Sequence, residues 1–206
     1  MNRIILASGS PRRKELLGLI TTDFSISVAD VDERDIEENF INDPKNLNSA
    51  GEVNKIKLAE TLATAKAKAV FDSLSDQDDV VVIGSDTSVI IDNEILGKPV
   101  DKDDAIRMLT KLSGRKHSVV TGVALISKKK TISFTNESFV YFNPLDDWQQ
   151  NLIKEYCESS EPYDKAGAYG IQGGGALLVE RIDGDFFSIM GLPVAELARA
   201  LERIRL

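Results

Sequence analysis

Fully apolar runs and amphipathic stretches alternate along the first half of the chain. Ile4-Ile5-Leu6-Ala7 is apolar at every position, the pattern of a strand buried on both faces. Ser8-Gly9-Ser10 follows as a turn, and Ser10 suits an N-cap with Pro11 at the first helical position. The helix is expected to run to about Leu19, with Leu16, Leu17 and Ile20 turned inward. Phe24 to Val28 alternates as a second strand. Asp30–Gly51 is polar and acidic, is interrupted by Asn42-Asp43-Pro44, and reads as a long mobile surface loop or a short helix.

Helical periodicity returns near Val53 and lasts to about Leu74, with Leu58, Ala59, Leu62, Ala65, Ala69 and Val70 on the apolar face. Val80-Val81-Val82-Ile83 predicts a buried strand that ends at Gly84-Ser85-Asp86-Thr87. Ser88–Ile91 and Glu94–Leu96 flank Asp92-Asn93 as a hairpin, closed by Gly97-Lys98-Pro99. Asp101 caps a helix to about Leu112, and Gly114 lies just past its end. Strands are predicted at Ser118–Ile126 and Thr131–Phe142, and a helix at Pro144–Ser159. A Gly-rich loop spans Glu161–Gly175. A hairpin pairs Ala176–Ile182 with Asp185–Met190, and a last helix starts at Pro193. Early alternation and late hairpins predict an α/β fold with a mixed sheet, in one domain over residues 1–206 with room for two lobes.

Composition narrows the function. The 206 residues are 42% hydrophobic, enough for one sizeable core. Lys and Arg number 25 against 33 Asp and Glu, a net charge of −8. That balance argues against nucleic acid or an anionic membrane as the main partner, while leaving room for a local cationic pocket. One cysteine, Cys157, and one histidine, His117, exclude an intrachain disulfide framework and speak against a Cys/His zinc cage. A Ser-His-Asp hydrolase would rest on His117 alone, which reads instead as a structural polar residue ahead of a strand. The N-terminus is too short for a signal peptide before Arg12, and no apolar run approaches bilayer length, so a cytoplasmic location is expected.

Four segments offer chemistry. In Ser8-Gly9-Ser10-Pro11-Arg12-Arg13-Lys14, cations crowd the first helical turn, where the helix dipole prefers anions. A phosphate chain would remove the conflict, held by backbone N–H groups, Ser8, Ser10 and the guanidinium groups. A solvated basic turn is the structural alternative. Spacing does not separate the two, although a local rule broken this way favours a functional site. Asp86, after an apolar strand, suits a divalent cation or an oriented water, or else caps a turn. Lys66 borders an apolar helix face, where snorkelling is the usual outcome, and Lys98 on a stiff turn could reach a phosphate or be an ordinary surface lysine. In Asp164–Gly175, glycines and alanines allow close backbone approach, and Gln172 offers a donor and an acceptor for a base edge. A long flexible hairpin connection is the structural alternative, and the loop is neither a Walker A nor a dinucleotide fingerprint. Glu33, just after a predicted strand, is a candidate second metal ligand, although a residue placed so is more often simply solvated.

The ordered set of motifs resembles the Maf family, the septum-formation-inhibitor-like nucleotide pyrophosphatases. The match is carried by Ser8-Gly-Ser-Pro-Arg-Arg13, Asp32-Glu33, Leu62-Ala-x-x-Lys66-Ala, Gly84-Ser-Asp-Thr87, Gly97-Lys-Pro99, Leu112-Ser-Gly114, Thr121-Gly-Val123, Asp164-Lys-Ala-Gly-x-Tyr-Gly-Ile-Gln172 and Gly191-Leu-Pro193. It implies an elongated α/β fold similar to inosine triphosphate pyrophosphatases, with two lobes around a cleft. It implies cleavage of nucleoside triphosphates between the α- and β-phosphates, with Mg²⁺ or Mn²⁺ near Glu33 and Asp86. Asp86 would accept a proton from water, while Ser8, Arg13, Lys66 and Lys98 would hold phosphates. Arg12, Thr87 and Gln172 match the dTTP/UTP branch better than the 7-methyl-GTP branch, which carries Trp, Gln and Glu there. A nucleotide-binding regulator of septum formation is the non-enzymatic alternative, and the resemblance admits a homodimer. Two features depart from the family pattern: Asp30–Gly51 is longer than usual, and Gly173-Gly174-Gly175 loosens the loop on the base side.

Overall fold

The computed structural model describes residues 3–28, 30–48 and 51–205. In chain order the elements are β1 (Arg3–Leu6), α1 (Pro11–Gly18), β2 (Ser25–Ile26), α2 (Glu33–Asn42), α3 (Lys55–Ser73), β3 (Val80–Ile91), β4 (Glu94–Leu96), α4 (Lys102–Leu112), β5 (Lys116–Ile126), β6 (Thr131–Phe142), α5 (Asp147–Tyr156), β7 (Val179–Asp183), α6 (Phe186–Met190) and α7 (Val194–Arg205). The strands form one mixed sheet in the order β2-β1-β3-β5-β6-β7, with β4 paired to β3, as expected of an α/β fold. Among the described residues, no helix is long and apolar enough to cross a membrane.

The chain gathers into two compact units. The first holds Met1–Asp86, Thr121–Asn136 and Gly191–Leu206. Here β1 pairs in parallel with β2 and with β3, Arg3–Leu6 lying opposite Val80–Ile83. Ser10 caps α1 by accepting from the Arg13 N–H, and Pro11 opens the helix as its fixed φ favours. Leu16 and Leu17 are buried beneath it. The predicted second strand shrinks to the two exposed residues of β2. Asp30–Gly51 is not a plain loop. It contains α2, capped by the Asp32 carboxylate and anchored by buried Phe40, then a 3-10 turn at Pro44–Asn46. Ser49 and Ala50 of that segment, and Met1 and Asn2 of the N-terminus, lie outside the described residues.

Helix α3 lies against the sheet by way of small residues. Ala63, Ala67, Val70 and Phe71 share a core with Ile5, Ala7, Val80, Val82, Ala124 and Ile126. A Cβ on Gly84 would stand 2.1 Å from the Ala63 carbonyl oxygen, and one on Gly122 would stand 2.3 Å from that of Ala59. The two glycines are therefore the seats of the helix. This corrects two expectations. The buried alanines are Ala59, Ala63 and Ala67 rather than Ala65 and Ala69, because the row spaced by four faces the glycines. The strand also does not end at Gly84, which serves close packing rather than a turn. β3 continues to Ile91, and its far half pairs with β4.

The second unit holds Thr87–Val120 and Glu137–Met190. The β3–β4 hairpin turns at Asp92 and Asn93, with φ of 50° and 58°, the left-handed pair that a tight hairpin needs. Asp101 caps α4 as expected. The helix predicted at Pro144–Ser159 is the shorter α5, followed by the buried Cys157. β7 pairs antiparallel with β6, but the predicted partner strand at Asp185–Met190 is absent. Gly184 turns the chain, the Asp185 carboxylate accepts from the Phe187 N–H at 2.9 Å, and the capped segment winds into α6.

Candidate active site

Seven of the sequence-predicted residues, Ser8, Ser10, Arg12, Arg13, Glu33, Lys66 and Asp86, belong to the first unit. The turn after β1 supplies the basic group. Ser8 Oγ accepts from the Ser10 N–H at 3.2 Å and from Arg13 Nη1 at 3.4 Å. Arg13 Nε donates to the Gly191 carbonyl at 3.0 Å, and Ser85 Oγ donates to the same oxygen at 2.9 Å. Gly191 presents that carbonyl with φ of 118°, a conformation glycine adopts without strain. The first turn of α1 carries no acidic residue. Burial pushes the Arg13 pKa down, and the negative charges of Asp86 and Glu33 oppose that shift.

Lys66 joins the acidic side. Its stem leaves α3 beside Leu62 and Val70, and its side chain is 12% exposed. Nζ stands 2.6 Å from Asp86 Oδ1 and 3.0 Å from Glu33 Oε1. The ammonium is thus held between two carboxylates and does not snorkel to solvent. Asp86 is delivered by the middle of β3, three residues past Ile83, where the pairing with β1 ends. With no turn at this point, Asp86 does not cap one. Glu33 opens α2, and Asp32 before it caps that helix.

Glu37, one helical turn beyond Glu33 on the same face of α2, was not singled out from the sequence. Burial pushes its carboxyl pKa up, the charges of Asp86 and Glu33 add to the shift, and Lys66 and Arg34 oppose it. The spacing of four residues was the signal that could have found it. Ser85 and Gly191 also escaped attention as participants, because a carbonyl acceptor leaves no trace in sequence.

Hard oxygen ligands suit Mg²⁺ or Mn²⁺, which are commonly held by one or two carboxylates together with substrate phosphates and water. Glu33 and Asp86 fit that role, since both already reach a single cationic atom, Lys66 Nζ. Among the described residues, no group of three His, Cys, Asp or Glu side chains has metal-holding geometry. A divalent cation here would therefore take two carboxylates from the protein rather than an all-protein cage.

The other three predicted residues belong to the second unit. Thr87 follows Asp86 in β3 and is half-buried. Lys98 is exposed on the turn after β4, and Gln172 is exposed at the start of a 3-10 turn over Gly173–Leu178. The Gly97 carbonyl accepts from the Gly167 N–H at 3.0 Å, which ties the Lys98 turn to the loop bearing Gln172.

The chain matches the model of the family described as Maf-like protein over residues 3–204. It is 46% identical over 204 residues to a protein of Bacillus velezensis named dTTP/UTP pyrophosphatase, covering 99% of this chain and 97% of the relative. A protein of the same name from Bacillus cereus is 43% identical over 203 residues, covering 98% and 96%. One from Hahella chejuensis is 44% identical over 194 residues, covering 94% and 88%. A match along nearly the full length, joined to this constellation of side chains, makes the chain a member of the Maf-like protein family.

Proposed function

We propose that this protein hydrolyses dTTP and UTP to the monophosphate and pyrophosphate, with Mg²⁺ or Mn²⁺ held by Glu33 and Asp86. The observation that carries the proposal is the convergence, in one unit, of Arg13 and Lys66 with Glu33 and Asp86. The names of relatives alike over nearly the whole chain support the choice of substrate.

Ser8, Ser10 and Arg13 form the phosphate side. Arg13 keeps its charge even when buried, and its position is fixed by the Gly191 carbonyl. Lys66 adds charge to the phosphates, as Lys98 would by its place in the Gly97-Lys-Pro99 motif, and such fixed cations stabilise the negative charge that builds up during displacement. A bound divalent cation would further neutralise the phosphates and lower the pKa of a coordinated water. Asp86 accepts the proton of the attacking water. One water is consumed across the α–β anhydride, and pyrophosphate leaves. By their place in the family's motifs, Arg12, Thr87 and Gln172 would set the choice of base, Gln172 by pairing with both a donor and an acceptor on a pyrimidine edge.

The test is an assay of monophosphate and pyrophosphate release from dTTP, UTP, CTP and 7-methyl-GTP, with Mg²⁺ or Mn²⁺. Turnover of dTTP and UTP ahead of the other two is expected. No turnover of any nucleotide, or release of orthophosphate instead of pyrophosphate, would refute the proposal. Preference for 7-methyl-GTP would refute the substrate assignment alone.

A further inference from the structure

His117 takes no part in the chemistry described above, yet it is the most enclosed ionisable ring of the second unit, at 2% exposure. It stands near the start of β5. Nε2 lies 2.7 Å from the Tyr169 hydroxyl, and the two rings meet edge to face at 5.5 Å. Phe142 closes the trio, 5.1 Å from His117 and 4.8 Å from Tyr169. His117 Nδ1 has no partner among the described residues. A phenylalanine would fill this space without the orphaned Nδ1 but would strip the buried Tyr169 hydroxyl of its His117 partner, so packing alone does not account for a histidine here. What the histidine supplies is the bond to Tyr169.

Tyr169 sits inside the segment that carries the candidate nucleotide contacts. Three residues on is Gln172. Two residues back is Gly167, whose N–H holds the Gly97 carbonyl beside Lys98. The same segment is fastened at Gly170, whose N–H donates to the Tyr156 hydroxyl at 3.3 Å, and at Gly174, whose N–H donates to the Glu161 carboxylate at 3.2 Å. Glycines at 167, 170, 173, 174 and 175 give the chain little intrinsic preference for one shape. Order must come from such fastenings, and the His117–Tyr169 bond ties the middle of the loop to a sheet strand.

We infer that His117 is a positioning residue: through Tyr169 it holds the 164–175 loop and the Gly97 turn in the shape that presents Gln172 and Lys98 to the nucleotide. The inference rests on the proposed nucleotide hydrolysis. Neither His117 nor Tyr169 touches the substrate. Burial lowers the His117 pKa to about 3, so the ring is neutral and the bond persists across the working range of pH.

The full-length protein with His117→Phe, His117→Gln or Tyr169→Phe tests this by steady-state kinetics with dTTP, UTP and CTP and by amide hydrogen exchange over residues 164–175. His117→Phe keeps the ring trio and loses the bond. If the loop is then in its binding shape about a tenth of the time, KM rises about tenfold while kcat changes little. Discrimination between UTP and CTP falls, and exchange quickens in 164–175 but not in α3. Tyr169→Phe should do the same, and His117→Gln, whose amide can reach the hydroxyl, should recover at least half of each effect. Unchanged KM and exchange in an active His117→Phe variant would overturn the inference. So would a loss of kcat at constant KM, which reports fewer folded molecules. If His117→Phe fails to fold, Tyr169→Phe decides by the same readouts. A wild-type protein that releases no pyrophosphate refutes the proposed function instead, and exchange in the variants then decides whether the bond orders the loop.

Discussion

Replacing Gly84 by alanine tests how the packing of α3 sets the position of Lys66. The added Cβ would lie 2.1 Å from the Ala63 carbonyl oxygen, 2.8 Å from the Ala67 nitrogen and 3.0 Å from the Ala67 Cβ. Ordinary contact begins near 3.4 Å, so α3 must lift from β3 by about 1 Å or more. Overpacking of this kind costs about 1–3 kcal/mol. In a domain of this size that lowers Tm by roughly 2–12 °C. The same lift carries Lys66 away from Asp86, now 2.6 Å distant, and misplacement by about 1 Å costs on the order of a hundredfold in rate. Thermal unfolding followed by circular dichroism, together with kcat for dTTP well below the variant's Tm, separates the two effects. Gly18→Ala is the control. A Cβ there meets nothing within 4 Å, so it should stabilise α1 by about 0.5–1 kcal/mol and leave turnover alone. A Gly84→Ala protein that melts and turns over like wild type would refute the account of the seat and of its link to the site.

Other outcomes follow from the same geometry. Asp86→Asn should lower kcat by about 10²–10⁴ while leaving pyrophosphate binding, measured calorimetrically, within a few-fold; unchanged turnover would remove Asp86 from its role. Arg12→Ala should alter the ratio of kcat/KM between UTP and 7-methyl-GTP, and an equal loss on every nucleotide would confine Arg12 to phosphate contact. His117 is neutral when folded, with its pKa near 3, and protonates near its ordinary 6.5 when unfolded. The unfolded chain therefore binds the extra proton between those values, and stability falls as pH drops through that window. Between pH 7 and pH 5 the loss is on the order of 2 kcal/mol, read by denaturant titration. His117→Gln should lack this component, so stability profiles of the two proteins that run parallel from pH 7 to pH 5 would contradict the burial of a neutral ring.

Where a residue acts on its immediate neighbours, the sequence was a sufficient guide. Ser10 before Pro11, Asp101 before α4 and Asp92-Asn93 between apolar runs all do what their side chains favour locally. The errors fell where distant segments decide. Gly84-Ser85-Asp86-Thr87 has turn chemistry, yet β3 runs through it because β4 pairs beyond and α3 needs the glycine. Phe186-Phe187-Ser188-Ile189-Met190 has strand composition, yet the Asp185 cap starts a helix. Ala63 and Ala65 look alike in sequence, and only the position of Gly84 makes one of them core. For the site, side-chain types pointed to a basic cluster, Asp86 and Glu33. The lysine shared between carboxylates, the turned Gly191 carbonyl and the bond from His117 to Tyr169 join residues 20 to 178 positions apart, and no local pattern encodes them.

Cys157 has a practical consequence. It is the only thiol in the chain, it lies buried past the end of α5, and burial pushes its pKa up. Thiol reagents act on the thiolate, so the native protein offers them almost nothing to modify. A cysteine placed at exposed Lys98 or Gln172 would then be the single labelled position, with no need to remove the native one. A spin label or fluorophore at Gln172 would report on the 164–175 loop, and one at Lys98 on the Gly97 turn bonded to it, as pyrimidine and purine nucleotides are added.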